Sequence, residues 1–137
     1  MLLLREVDFR RTRQNARNIL KNYRRWERIA GRSKIDVRSP IITDMPKTPS
    51  NGNKSEDAII QMMDAEAERD AIVLALMRLS LDSRQVLYYS FCTVDRYTNV
   101  WIADKMGYAV RTIEDYKATA LIEFAEAYRK GKLVEYC

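Results

Sequence analysis

Within V-R-T-I-E-D-Y-K, residues 110–117, a guanidinium, a hydroxyl and two carboxylates fall inside five positions: Arg111, Thr112, Glu114 and Asp115. The set mixes donors with acceptors, which suits the reading of base edges. An arginine fork donates two hydrogen bonds to guanine, a threonine meets a thymine methyl or a phosphate, and a carboxylate accepts from the amino group of cytosine. Carboxylates are costly beside phosphate unless aimed at bases, so they argue for sequence preference rather than general affinity. Other chemistries are poorly supplied. The chain has no histidine, which excludes His-based acid–base or triad chemistry, and two separated cysteines, Cys92 and Cys137, make no zinc ligand set. Its four glycines are isolated and form no phosphate loop. The many carboxylates sit at helical spacing among basic residues and read as solvated faces. No enzymatic activity, cofactor or metal is expected.

The elements that must hold those side chains are legible around them. Ala103 is followed four positions on by Gly107, with apolar residues at 102, 106, 108, 110, 113 and 116. Two helices crossing steeply through a short turn approach closely only where a side chain is small, which suits Ala103. The turn needs a left-handed backbone, which Gly107 adopts without steric cost. This spacing predicts a helix-turn-helix in which Ile102, Met106, Ile113 and Tyr116 face inward, and the second helix is the one such a motif lays in a DNA major groove. An ordinary helical hairpin shares the spacing. Ahead of it, Leu81 to Tyr89 or Ser90 reads as a short amphipathic helix. Thr98 can cap the helix that follows the intervening polar gap.

Charge is distributed unevenly. Residues 5–34 hold eleven Arg or Lys against three acids, whereas the chain from residue 80 onward holds eight of each. Phe9, Ala16, Ile19, Leu20, Tyr23, Trp26 and Ala30 recur at three- and four-residue steps, predicting one amphipathic helix from an Asp8 cap to Gly31. Eleven like charges repel unless a polyanion neutralises them, so phosphate contact along Arg10, Arg11, Arg13 and Arg17 is the preferred reading. An acidic protein partner is the alternative. A membrane partner is not expected, because the cations fill most of the polar arc and leave no broad lipid-facing side. Thr98, Asn99, Lys105 and Lys117 would serve further phosphates.

All three prolines and Gly52 fall in residues 39–54, which predicts a linker, with Ile41, Ile42 and Met45 available to anchor its first half. The expected organisation is a basic N-terminal helix (1–38), that linker (39–54) and a helix-turn-helix domain (55–137). A helix capped by Asn53 or Ser55 should carry one apolar stripe, Ile59, Met63, Ala67, Ala71, Leu74 and Met77, with Asp64, Glu66, Glu68 and Asp70 keeping its N-terminal half solvated. Its apolar end, residues 71–77, should be enclosed, either as the core helix of the domain or in a homodimer interface. After Tyr116 a single helix is expected to run to Gly131. The apolar run Met1–Leu4 is too short for a signal peptide or membrane span, and a cytoplasmic location in a bacterial host follows as an expectation.

A leading helix over 56–79, then S-R-Q-V-L-Y-Y-S, a gap and T-N-V-W-I-A-D-K-M-G-Y-A-V-R-T-I-E, resembles the final helix-turn-helix domain of bacterial sigma factors. With the opening M-L-L-L-R-E-V-D-F-R-R-T-R-Q-N-A-R, the segment Y-R-R-W-E-R-I-A-G-R-S and the closing A-L-I-E-F-A-E-A-Y-R-K-G-K-L, the chain resembles the ArpU family of phage and prophage transcriptional regulators. The resemblance implies an all-α fold with a four-helix domain like sigma region 4. It also implies binding of double-stranded promoter DNA, and control of late genes for packaging, structure and lysis. Its groove-facing positions correspond to Val110, Arg111, Thr112, Glu114 and Asp115. Two departures stand out. Ala109 occupies a position commonly Ser or Thr and has no oxygen to cap the helix. Val100 and Trp101 replace residues that are often acidic. Trp101 either folds onto the core or, with Val100, faces RNA polymerase or a second subunit. A packaging component such as a small terminase subunit, or a sigma-like adaptor docking on polymerase, are the alternative functions.

Overall fold

The computed structural model describes residues 6–38 and 52–137, the side chains of 31–38 and 52–55 excepted. Among them lie six α-helices: α1 (Phe9–Lys21), α2 (Tyr23–Arg38), α3 (Gly52–Met77), α4 (Leu81–Leu87), α5 (Asn99–Met106) and α6 (Val110–Ala127). A π-helical turn, Tyr88–Cys92, prolongs α4, and a 3-10 turn, Tyr128–Gly131, follows α6. The described residues contain no strand, only an isolated antiparallel bridge between Val7 and Tyr136. The fold is all-α, as expected, and no described helix is long and apolar enough to cross a membrane.

Packing divides the chain into two compact units, Met1–Arg24 with Ala71–Cys137, and Arg25–Asp70. The basic α1 therefore belongs with the C-terminal helices, whereas the sequence reading had set residues 1–38 apart from 55–137. In the first unit α6 is the pillar against which α1, α4 and α5 all pack. One core joins Val86, Ile102, Ala103 and Ile113, with Tyr89, Tyr97, Met106 and Tyr116 at its margin. Further along α6, Leu121, Phe124 and Ala125 are buried, as are Thr12, Ala16 and Leu20 of α1. Each large side chain so enclosed contributes about 1.5–3 kcal/mol. Arg84 ties α4 to the end of α3, its Nε donating to the Leu76 carbonyl at 3.2 Å and its Nη2 to those of Met77 and Leu79 at 3.4 and 3.3 Å. A guanidinium there satisfies carbonyls that a helix terminus leaves unpaired. In the second unit, Ala30 of α2 and Ala65 of α3 are fully buried.

Several elements differ from the sequence expectation. The single helix from Asp8 to Gly31 is two helices. Asp8 does cap α1, its Oδ1 accepting from the Arg11 amide at 3.2 Å, but α1 stops at Asn22. The Asn22 amide turns back to the Ile19 carbonyl, and its side chain donates to the Asn18 carbonyl at 3.0 Å, the local bonding by which asparagine interrupts helices. Gly31 lies inside α2, since an interior glycine costs only about 1 kcal/mol and does not compel an end. α3 begins at Gly52, so Asn53 and Ser55 lie within its first turn rather than ahead of it. The proposed anchors Ile41, Ile42 and Met45 lie outside the described residues.

The apolar stripe of α3 faces outward even at its C-terminal end, where enclosure is expected: Ile59, Met63, Leu74 and Met77 are all more than half exposed. Ala65, Ile72, Ala75 and Leu76 are buried instead. A helix apolar on two sides has two candidate inner faces, and tertiary packing selected the other one. The 71–77 segment is thus only partly enclosed. At the far end α6 stops at Ala127, and Arg129, Lys130 and Gly131 all take left-handed φ angles before the C-terminal segment turns back toward α1.

Gly107 adopts φ 78°, and a Cβ built there would meet nothing within 4 Å. Gly107→Ala should therefore cost only the left-handed backbone penalty, about 1–2 kcal/mol, measurable as a lowered denaturant midpoint with an unchanged slope.

Candidate nucleic-acid interface

The turn between α5 and α6 is built as its residues dictate. The Thr98 hydroxyl accepts from the Trp101 amide at 3.2 Å and starts α5. Gly107 ends that helix in the left-handed conformation, and the amides of Gly107 and Tyr108 both donate to the Ala103 carbonyl at 2.9 Å. Ala103 is 4% exposed, at the close approach its small size permits. Ala109 starts α6 without a side-chain cap, as its methyl requires, and only its carbonyl takes part, accepting from the Ile113 amide at 3.1 Å.

With Ile113 and Tyr116 turned to the core, the polar residues of the first two turns of α6 fall on the outer arc. Arg111, Glu114 and Asp115 are exposed, Val110 is exposed beside them, and Thr112 is half-buried. The five candidate base-reading residues thus share one accessible end of one helix, held by a core that excludes their neighbours from water.

The candidate phosphate residues divide into groups. Lys117, two turns along α6 from Ala109, is half-buried, its Nζ donating to Asn99 Oδ1 at 3.3 Å and lying 5.4 Å from the centre of the Phe91 ring. Burial, and then the charge of Arg17 on α1, hold its pKa below the ordinary lysine value. The basic α1 thus packs against the helix that carries Lys117, and Asn99 of α5 meets Lys117 itself. Arg10, Arg11, Arg13, Gln14 and Arg17, with Asp8, line an open groove of about 580 Å³ along α1. Arg10 and Arg11 are exposed, with Arg11 Nε 3.7 Å from the Asp8 carboxylate, and Arg13 and Arg17 are half-buried. Lys105 lies elsewhere, in a smaller groove with Asp82, Gln85, Tyr89, Met106 and Tyr108. The Thr98 hydroxyl is already engaged as the cap of α5.

Trp101 stacks on Tyr97, with centroids 3.7 Å apart and planes at 13°, and meets the Tyr89 ring edge-on at 5.3 Å. It remains 37% exposed, and Val100 next to it is 65% exposed. Trp101 thus packs against its aromatic neighbours on one side and leaves the other uncovered.

Sequence reasoning missed the tether of the turn. The Tyr108 hydroxyl donates to Asp82 Oδ2 at 3.0 Å, and the Tyr108 ring meets Tyr116 edge-on at 5.2 Å. Nothing in local spacing connects residues 82 and 108, because only the packing of α4 against α6 brings them together. The Asp82 carboxylate, by hydrogen bond and then by charge, raises the Tyr108 pKa above its ordinary value of 10.0. A phenol whose folded pKa is raised contributes stability fully present below its unfolded pKa and lost as pH rises through the folded one. Melting temperature should therefore fall from about pH 10 upward in the wild type, and Tyr108→Phe should show a smaller decline across that window.

No family model matches the chain, and no solved structure does. Relatives are found among known proteins. The "Putative autolysin regulatory protein ArpU" of Enterococcus hirae is 65% identical over 136 residues, 99% of each chain. A protein of the same name from Streptococcus phage O1205 is 30% identical over 135 residues, 97% of this chain and 98% of its own. Identity of this degree along nearly the whole length reaches both the basic α1 and the α5–α6 pair, and the chain belongs to the ArpU family.

Proposed function

We propose that this chain is a sequence-specific DNA-binding regulator of transcription that acts on late phage genes for packaging, structure and lysis. In this reading α3 to α6 form a helix-turn-helix domain like sigma region 4, and α6 enters the major groove of promoter DNA. The observation that carries it is the exposed group of Arg111, Glu114 and Asp115 at the start of α6, with Val110 and Thr112, above a buried Ile113. Donors and acceptors gathered on a rigid helix end suit base edges. The arginine-lined groove of α1, on a helix packed against the one that carries the half-buried Lys117, supplies the second support, since gathered cations are relieved by an anion.

The relatives lend weight to the biological setting: one is encoded by a phage, and both are named for the regulation of an autolysin. A lytic enzyme is the kind of product that late phage genes supply. Because the chain from residue 80 onward balances eight bases with eight acids, general attraction to DNA falls to α1, and base preference to α6. Val100 and the uncovered side of Trp101 are the proposed polymerase-facing positions. A footprint on DNA of the parent phage, with and without RNA polymerase, tests the reading. A protected promoter site without polymerase is expected, and protection only in its presence would favour a polymerase-docking adaptor.

Within that reading, Arg111→Ala should cost about 1–3 kcal/mol at the cognate site and flatten preference at one base pair. Unchanged specificity in a binding-site selection would remove Arg111 from the reading helix. Replacing Arg10, Arg11, Arg13 and Arg17 together with Gln should weaken binding to all sequences. The slope of log K against log salt should become shallower by about 3 to 4 units, and an unchanged slope would give α1 another partner.

A further inference from the structure

The C-terminal segment, too short to assign from sequence, is fastened to α1 by a set of specific bonds. The Thr12 hydroxyl accepts from the Glu135 amide at 3.0 Å and donates to the Glu135 carbonyl at 3.4 Å, and Thr12 is fully buried. One turn on, Asn15 Nδ2 donates to the Leu133 carbonyl at 3.0 Å. Ahead of α1, the Asp8 amide donates to the Glu135 carbonyl at 2.8 Å, the Cys137 amide donates to the Glu6 carbonyl at 3.0 Å, and Val7 bridges Tyr136. This segment leaves the left-handed turn that ends α6, so the clasp links α1 to the far end of the helix whose start carries Arg111.

We infer that Thr12 and Asn15 are positioning residues: by clasping residues 133–137 they fix the rotation of α1, so that its arginines line up with Lys117 as one phosphate-contacting surface. The inference rests on the DNA-binding reading above and deepens it by naming what holds the cationic helix in place. A helix of 13 residues is marginal by itself, and its inner face offers little that is large beyond Leu20 beside Ala16 and Thr12. Apolar contact through so few side chains is non-directional. The clasp adds directional bonds that fix the rotation of α1. At 100° per residue, Thr12, Asn15, Ala16 and Leu20 occupy one arc, and Arg10, Arg13 and Arg17 a neighbouring arc about 60° wide. Holding the first arc against the C-terminal segment and α6 therefore aims the second along the helix that carries Lys117. Removing the Thr12 hydroxyl also leaves the Glu135 amide without its acceptor, which makes the clasp costly to breach at that point.

The test uses the full-length protein with Thr12→Val, Thr12→Ser and Asn15→Ala. Amide hydrogen exchange without DNA reports on the clasp, and the salt dependence of binding to cognate and non-cognate duplexes reports on its consequence. Thr12→Val and Asn15→Ala should speed exchange across residues 9–21 while leaving 110–127 protected. Both should lower affinity about tenfold for either duplex at fixed salt and make the slope shallower by about 1 to 2 units, with the cognate preference kept. Thr12→Ser retains the hydroxyl and should behave as wild type. Exchange at 9–21 unchanged in the folded variants, or a wild-type slope despite faster exchange, would overturn the inference. Loss of cognate preference along with affinity would also overturn it, because that marks general destabilisation. Wild type that binds no DNA would overturn the DNA-binding reading itself, a failure told apart from that of the clasp by the exchange arm. Should Thr12→Val not fold, Asn15→Ala, at a half-buried position, carries the same comparison.

Discussion

The close approach of α5 to α6 governs the rest of this molecule. It needs a small side chain at Ala103, so that the two helices meet, and a left-handed residue at Gly107, so that the chain turns within a few positions. Given both, Ile102 and Ile113 reach Val86 of α4 and close a buried core. That core dictates which side of α6 is outside. Arg111, Glu114 and Asp115 are presented because Ile113 and Tyr116 are taken, and the Tyr108–Asp82 hydrogen bond links the turn to α4. The presentation of the candidate reading residues is thus a packing result and not a property of the residues themselves.

α6 then serves a second purpose through its length. Its later turns bury Leu121, Phe124 and Ala125 and receive α1, so the most basic helix of the chain lies against the helix proposed to read bases. Burial, and then the charge of Arg17, disfavour the charged form of Lys117 in the free protein, while the clasp of Thr12 and Asn15 on residues 133–135, together with the burial of Leu20 and Ala16, holds α1 against the pillar helix. Such an arrangement stores repulsion that an anion relieves. It gives the division of labour in the proposed function a physical basis: attraction from one helix, discrimination from another, on a common support.

Not every surface is accounted for by that division. Leu74 and Met77 of α3 and Leu81 at the start of α4 are each about 60% exposed, and Tyr88 at the π-helical turn is nearly half exposed. Of these, Met77 and Tyr88 line, with Val73, Leu76 and Cys92, a groove of about 420 Å³ that also takes in Tyr23, Arg84 and Tyr89. Large exposed side chains of this kind cost solubility when they gather in one patch.

What the sequence by itself determined is whatever depends on residue type over a few positions. The Asp8 and Thr98 caps, the left-handed Gly107, the missing cap at Ala109 and the inward set Ile102, Met106, Ile113 and Tyr116 all follow from local chemistry and period. The local concentration of charge in residues 5–34 was equally plain. Tertiary structure alone decided what depends on meetings between distant segments. Asp82 finds Tyr108, α1 packs on the helix of Lys117, and Thr12 and Asn15 find the backbone of residues 133–135 across more than a hundred positions. The same holds for α3, where two apolar faces competed and burial fell to Ala65, Ile72, Ala75 and Leu76 rather than to the expected stripe. Periodicity reveals that a face is apolar, but which face is covered depends on what packs against it, and that is a property of the whole chain.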